Sequence, residues 1–190
     1  MSSSLDTASA KLKVLFDLIE STMEARTHWQ AWWALANQAR PELVPRMNRF
    51  PDFFLATERA HFNCVFLNLA HLFDRRRDVS NLDRYLKLAA PLYSAKEVGD
   101  VRTRFEMHSV ARAGVIEIRN NVIAHKNAGL SERDVFNRAK VKPRLIGNLV
   151  NESVAVVNFF AEREGWLNRI FVSQRVAEET LGVIRSISEL

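Results

Sequence analysis

One cysteine, Cys64, stands among 190 residues. That excludes a disulfide within the chain and any zinc module built from several cysteines. The opening stretch Met1-Ser2-Ser3-Ser4-Leu5-Asp6 has no apolar signal core, and no later run is apolar long enough to span a bilayer. A cytoplasmic protein without a membrane segment is therefore the expectation. There is no Gly-rich phosphate loop, no Gly-x-Ser-x-Gly elbow and no His-Glu-x-x-His helix, which disfavours the classes that depend on them. No short helix pair is clearly basic on one exposed face, as a DNA-reading helix-turn-helix would be. Strand alternation, internal repeats and low-complexity tracts are lacking too. Six glycines and five prolines are scattered, most of them where helices would end.

What the chain does have is apolar mass. Its hydrophobic fraction is 47%, with 12 Phe and 4 Trp, enough for a real core and unlike a disordered chain. Lys and Arg outnumber Asp and Glu by 27 to 22, giving a net charge of +5. This suits an anionic partner such as nucleic acid, but argues solubility more than function.

The periodicity is helical throughout. Ala8, Leu12, Leu15, Ile19, Thr22, Trp29 and Trp33 predict one long helix over 5–38, or two in line. Pro41, Pro45 and Pro51 break the connector that follows. Phe62, Val65, Phe66, Leu69, Leu72 and Phe73 predict a second helix over about 52–75, its stripe wide enough to be covered on two sides. Ser80, with Asp83 in the first turn, reads as the cap of a short helix ending near Pro91. Ser94 caps a third long helix carrying Val98, Val101, Phe105, His108, Ala111, Val115, Ile118 and Val122 and ending near His125. Gly129 and Ser131-Glu132-Arg133-Asp134 open a short helix. Pro143 suits the first turn of one running to about 163. Gly165 precedes a last helix with Leu167, Ile170, Phe171, Ala177, Leu181 and Ile184. The expectation is an all-α antiparallel bundle of four to five main helices, in a single domain over 1–190.

The chemistry concentrates at Arg119-Asn120-Asn121-Val122-Ile123-Ala124-His125-Lys126. On a helix the nearest neighbours of Arg119 are Val115, Ile116, Val122 and Ile123, all apolar. A guanidinium there keeps its charge and needs a carboxylate or a phosphate to meet it. His125 can exchange a proton near neutral pH. An Arg for the anion and a His for the proton form the minimum kit for metal-free phosphodiester cleavage. Six positions on an unbroken helix amount to about 240° of rotation, so the pair converges only if the helix ends between them or a second copy brings its own segment across a two-fold axis. In an RNA the 2′-hydroxyl is the nucleophile, His125 is the base or, from the other copy, the acid, and Arg119 neutralises the phosphorus oxygens. Asn120 can hold His125 or a phosphate oxygen. DNA should resist, and no metal or cofactor is needed.

Arg119, then polar Asn120, then His125 at the end of a long helix in an all-α chain resembles the signature of the HEPN superfamily. The flanks Ile118-Arg119-Asn120-Asn121-Val122-Ile123-Ala124-His125-Lys126, with Leu69-Ala70-His71-Leu72-Phe73-Asp74 and Asn81-Leu82, resemble its branch related to the abortive-infection protein AbiU. The resemblance covers about residues 52–135, the motif-bearing core. It implies a HEPN-like bundle, a homodimer with the motif at or near the interface, and a metal-independent ribonuclease with Arg119 and His125 as the catalytic pair and Asn120 as the polar residue beside the Arg. It also implies a phage-defence or toxin–antitoxin setting with an antitoxin protein as a possible partner. Some members of the superfamily have lost activity and serve as scaffolds binding RNA, nucleotide or protein.

Other residues allow two readings each. Arg119 can instead pair with a buried carboxylate such as Asp74 or Glu117, leaving His125 as a helix-end cation. Arg75, Arg76 and Arg77, with Lys126, Arg138, Lys140, Lys142 and Arg144, are RNA-phosphate contacts if they flank the cleft, and ordinary solvated helix-end residues otherwise. His61, Cys64, Asn68 and His71, extended by Thr57 and Arg75, form a polar seam: a zinc site in the sharp reading, a solvent face, subunit contact or cleft wall in the plain one. His108 reads as a hydrogen-bonded core histidine, and His28 as packing or surface. Trp29, Trp32 and Trp33 stack bases or, as aromatics at helical spacing more often do, fill a core or an interface.

Overall fold

Thirty-two residues without glycine or proline form α1, Ser2–Trp33, in a computed structural model that describes residues 2–39, 41–74, 76, 78–124, 132–166 and 175–187. The buried arc of α1 is Val14, Leu15, Leu18, Ser21, Thr22 and Ala25. It is rotated slightly from the expected stripe, leaving Leu12 exposed at the edge. The helix widens into a π-helical turn, Ala34–Gln38, just before Pro41. The proline-broken connector holds a short α2, Val44–Met47, and Pro51 then starts α3, Pro51–Phe73, at a position where its missing N–H costs nothing.

Four further elements complete the middle of the chain: α4 (Leu82–Leu88), α5 (Ala95–Glu106), α6 (Ser109–Ile118) and α7 (Glu132–Ala139). Two more follow, α8 (Pro143–Arg163) and α9 (Arg175–Ser186). Among the described residues there is no strand, and no helix is long and apolar enough to cross a membrane. The residues that meet between helices give their directions. Ser21 touches His71 and His28 touches His61, so α3 runs antiparallel to α1. Lys11 meets Glu164 and Arg26 meets Asn151, so α8 does too. Arg104 meets Glu152 and Glu97 meets Arg163, which makes α5 antiparallel to α8. The architecture is thus an all-α antiparallel bundle with α1 between α3 and α8.

The main core is an apolar cluster running from Val14, Leu15 and Leu18 through Leu69, Leu72 and Tyr85 to Val115, Ile118, Val157 and Phe160, and a smaller one joins Leu35, Leu43, Phe54 and Ile184. One buried polar knot ties three helices within the main cluster. Tyr85 Oη lies 3.1 Å from both Tyr93 Oη and Glu164 Oε1, and Lys11 Nζ sits 2.7 Å from the same carboxylate oxygen. Burial pushes the Tyr85 phenol well above its ordinary value, so it stays a donor at any physiological pH.

Two boundaries differ from the sequence reading. The long helix expected from Ser94 to His125 is divided at Met107–His108, where His108 leaves helical geometry (φ −106°, ψ 18°). No glycine or proline stands there. The two halves pack against different neighbours, α5 on α8 and α6 between α3 and α7, and tertiary packing overrides propensity at the junction. Ser94 does cap α5, with the reciprocal Glu97 contact of a capping box. The short helix α4 is capped by Asn81, whose side chain accepts the Arg84 N–H, while Ser80 turns to Asp17 on α1. Gly129, Ser131, Leu167, Ile170 and Phe171 lie outside the described residues.

Candidate functional site

Helix α6 buries Ala111, Gly114, Val115 and Ile118 and turns its opposite face to an open cleft of about 1080 Å³. Arg112, Ile116, Glu117, Arg119 and Asn120 line that cleft from α6 and its extension, with Leu67, Phe73, Asp74 and Arg76 across from them on and just after α3. Arg119 opens a π-helical turn, Arg119–Ala124. The wider turn breaks the regular ladder, and Asn121 Nδ2 donates to the Glu117 carbonyl at 3.0 Å. Single π turns of this kind cluster at functional sites. Of the four apolar neighbours expected around Arg119, Val115 and Val122 are buried and Ile116 and Ile123 are half-buried.

The guanidinium has two partners among the described residues. Nη1 donates to Asn120 Oδ1 at 2.7 Å, and Nη2 reaches Asp74 Oδ2 at 3.4 Å. The second contact is long for a hydrogen bond. A guanidinium carries five N–H donors, and 30% of this side chain is exposed. Arg119 is therefore neither sealed against its own carboxylate nor free of one. It stands on the cleft wall able to receive a further anion.

Asp74, 12% exposed, ends α3 and is shared. Arg76 gives it a backbone N–H at 2.9 Å and Nε at 3.1 Å. Burial alone would raise the carboxyl pKa, but the Arg76 hydrogen bonds and the charges of Arg76 and Arg119 outweigh it and hold the group below the ordinary aspartate value of 3.8. A carboxylate whose pKa is depressed on folding adds stability at all pH above its unfolded value and loses it as pH falls through the lowered one. Asp74→Asn should therefore flatten the dependence of the urea midpoint on pH below about 4, while lowering the midpoint itself at pH 7. An unchanged acid limb would show that Asp74 contributes nothing to it.

Arg112 is a cleft residue that the sequence reading missed. It lies seven residues before Arg119, almost two full turns and so on the same face, which is the signal that could have found it. Its guanidinium stacks over Phe73 at 5.0 Å, bonds Glu106 at 3.3 Å, and keeps a buried Nε with no partner among the described residues. Three arginines and three carboxylates, Asp74, Glu106 and Glu117, make the cleft mixed in charge. Each carboxylate faces a guanidinium, Glu117 that of Arg138 at 3.4 Å.

Of the residues expected to act, Arg119, Asn120 and Arg76 share the cleft. His125, Lys126, Arg75 and Arg77 lie outside the described residues. Lys140, Lys142 and Arg144 are exposed and do not line the cleft. Val141, between the two lysines, packs on Gly114, on the side of α6 turned away from Arg119. The polar seam of α3 faces α1: His61 Nδ1 meets His28 Nδ1 and His71 Nδ1 meets Ser21 Oγ, each at 2.7 Å, and Asn68 donates to the Cys64 carbonyl. Burial and the His28 ring lower the pKa of His61; burial and Glu24 raise that of Cys64, which keeps it a thiol. Among the described residues no three His, Cys, Asp or Glu side chains are grouped to hold a metal ion. His108 is half-buried and faces Glu152 at 4.0 Å. Trp29 stacks on Trp33 and lies against Gly147 of α8, which places it in helix packing.

The family model HEPN_AbiU2, described as AbiU2, matches residues 9–162. The match reaches beyond the segment recognised from motifs and takes in most of α1 and α8, the two helices against which the motif-bearing part is built. No curated protein and no solved structure matches the chain.

Proposed function

We propose, because the chain belongs to the HEPN_AbiU2 family, that it is an RNA endonuclease that cleaves through the 2′-hydroxyl without a metal. The observation that carries this reading is Arg119: a partly exposed guanidinium on an open cleft wall, at the head of a π-helical turn whose last residue, Ala124, precedes His125 in the sequence. A phosphodiester entering the cleft exchanges the long Asp74 contact for a bidentate one. Asn120, which accepts from Nη1, holds the fork in place. His125 takes the 2′-hydroxyl proton as the 2′-oxygen bonds to phosphorus; the bond to the 5′-oxygen breaks, and an imidazolium from a second copy protonates the leaving oxygen. Arg119 meets the charge that builds on the phosphorus oxygens. No step of this cleavage uses a metal ion.

The second copy docks beside the cleft. Met107 and Val110, 72% and 55% exposed, continue the outward face of α6 next to Ala113 and Leu67 on the cleft wall. Arg76 and Arg112 hold phosphates within the cleft, and Arg75, Arg77 and Lys126, which adjoin the site in sequence, are further phosphate contacts of this reading. Lys140, Lys142 and Arg144 contact RNA only beyond it. The setting is phage defence or a toxin–antitoxin pair in the cytoplasm, with a protein antitoxin as partner.

The test is end-group chemistry. Purified protein should leave 2′,3′-cyclic phosphate ends (or the 3′-phosphate from their opening) on RNA, work in EDTA, and spare the DNA analogue. Products ending in a 3′-hydroxyl, or cleavage abolished by EDTA, would overturn the mechanism. A second reading, a non-catalytic scaffold, has the Arg119–Asp74 pair in its favour. Under it RNA stays intact at every pH, and removing Arg119 lowers the melting temperature sharply.

A further inference from the structure

A second hollow, about 510 Å³, lies on the same face of α3, and neither the family match nor the cleavage mechanism uses it. Its wall is aromatic. Trp32, Phe62 and Phe136 are each half-buried, with Phe62 5.8 Å from Trp32 and 5.7 Å from Phe136 between ring centroids. Rings that close a core bury both faces; here three neighbouring rings border open space. Asn63 stands at the edge, half-buried, and no described residue pairs with its side-chain amide. Arg59 and Glu58 complete the rim. An aromatic wall with one unpaired amide matches the two demands of a single unstacked nucleobase: a π-face to stack on, and a donor–acceptor pair for its edge.

The hollow adjoins the Arg119 cleft. Asn63 lines the first and Leu67, four residues on and about 6 Å along the helix, lines the second. Val122, from the same π-helical turn as Arg119, borders the hollow from the other side. The two hollows therefore neighbour each other along α3 and the π turn, with a guanidinium in one and three tilted or edge-on aromatic rings in the other.

We propose that the hollow bounded by Trp32, Phe62, Phe136 and Asn63 is a nucleobase subsite that captures an unpaired base of an RNA strand a few nucleotides from the phosphate held by Arg119. This rests on the RNA reading of the cleft. It adds a specificity: bases in a duplex are stacked and cannot enter, so the protein selects single-stranded RNA.

Binding separates this from cleavage. A labelled single-stranded RNA with 2′-O-methyl groups throughout cannot be cut through its 2′-oxygens, and its affinity is read by fluorescence anisotropy. Phe136→Leu should weaken binding about tenfold, and Asn63→Ala about fivefold. Both should leave the salt dependence of binding unchanged, since no phosphate contact is lost. Asn63→Ala should also keep the melting temperature, while Phe136→Leu, whose ring packs partly on the core, should lower it by a few degrees without unfolding the protein. Phe136→Trp should restore affinity, and the duplex of the same sequence should bind more weakly than the strand. Wild-type affinity in Phe136→Leu and Asn63→Ala would overturn the subsite while leaving the nuclease reading intact. So would variants that change self-association in sedimentation but not RNA affinity, because the occupant would then be protein. An intact subsite beside wild-type protein that never cuts ordinary RNA would sink the nuclease reading alone.

Discussion

Arg119→Ala is expected to lower RNA cleavage at least about a hundredfold and to leave the fold in place. Both halves follow from the geometry. A preorganised donor aimed at charge that develops on phosphorus acts mainly in the transition state. The loss should therefore appear in turnover more than in RNA affinity. The structural loss is small, because the Arg119–Asp74 contact is long and partly solvated, and such pairs contribute about 0–1 kcal/mol. Asp74 also keeps its two hydrogen bonds from Arg76. The melting temperature should move by no more than about 4 °C. Arg119→Lys should not rescue, since an ammonium cannot supply the planar pair of N–H groups. Full activity in the alanine variant would end the mechanism. A large fall in melting temperature with no activity in wild type would establish the scaffold reading.

Gly114→Val should produce the largest structural effect. A Cβ on Gly114 would sit 2.0 Å from Val141 Cγ2 and 2.8 Å from the Ala139 carbonyl oxygen. The valine is stiff at χ1 and the carbonyl belongs to backbone, so neither yields cheaply. Overpacking of this kind costs about 1–3 kcal/mol and sometimes more, which for a chain of this length lowers the melting temperature by roughly 3–10 °C. The damage reaches the site, because the segment displaced is the one that pins α6 five residues before Arg119. Cleavage should fall along with stability. Gly99 provides the contrast. It lies inside α5, and a Cβ there would meet nothing within 4 Å, so Gly99→Ala should stabilise by about 0.5–1 kcal/mol. Thermal melts of the two variants check both signs, and a Gly114→Val protein that melts with wild type would show that α7 does not dock on α6 as described.

The cleft was legible in part. Arg119 stood out because four apolar neighbours surround it at helical spacing; the structure buries or half-buries all four, while the guanidinium itself faces a cleft of mixed charge. The partner was visible as one of two options, Asp74 or Glu117; the fold selects Asp74 because α3 ends opposite the π turn, whereas Glu117 lies near Arg138. Arg112 was overlooked because a single arginine on an amphipathic helix carries no local mark. Its relevance comes from Phe73 and Glu106, which only the α3–α5–α6 arrangement brings to it. The polar seam of α3 was equally ambiguous, since a row of His, Cys and Asn looks the same whether it faces solvent, a metal or another helix.

Local interactions explain what was readable in one dimension. The start of α8 at Pro143, the Ser94–Glu97 capping box on α5 and the helical period of the apolar residues depend on neighbours within a few positions, so the sequence determined them alone. The family was legible as well, from short motifs spread along the chain. The break at Met107–His108, the π turn at Arg119, the choice of Asn81 over Ser80 as a cap and the aromatic hollow beside the cleft were decided by tertiary structure. In each case contacts between residues far apart in the chain outweigh a local preference of about 1 kcal/mol or less, and a preference that small cannot announce its own defeat.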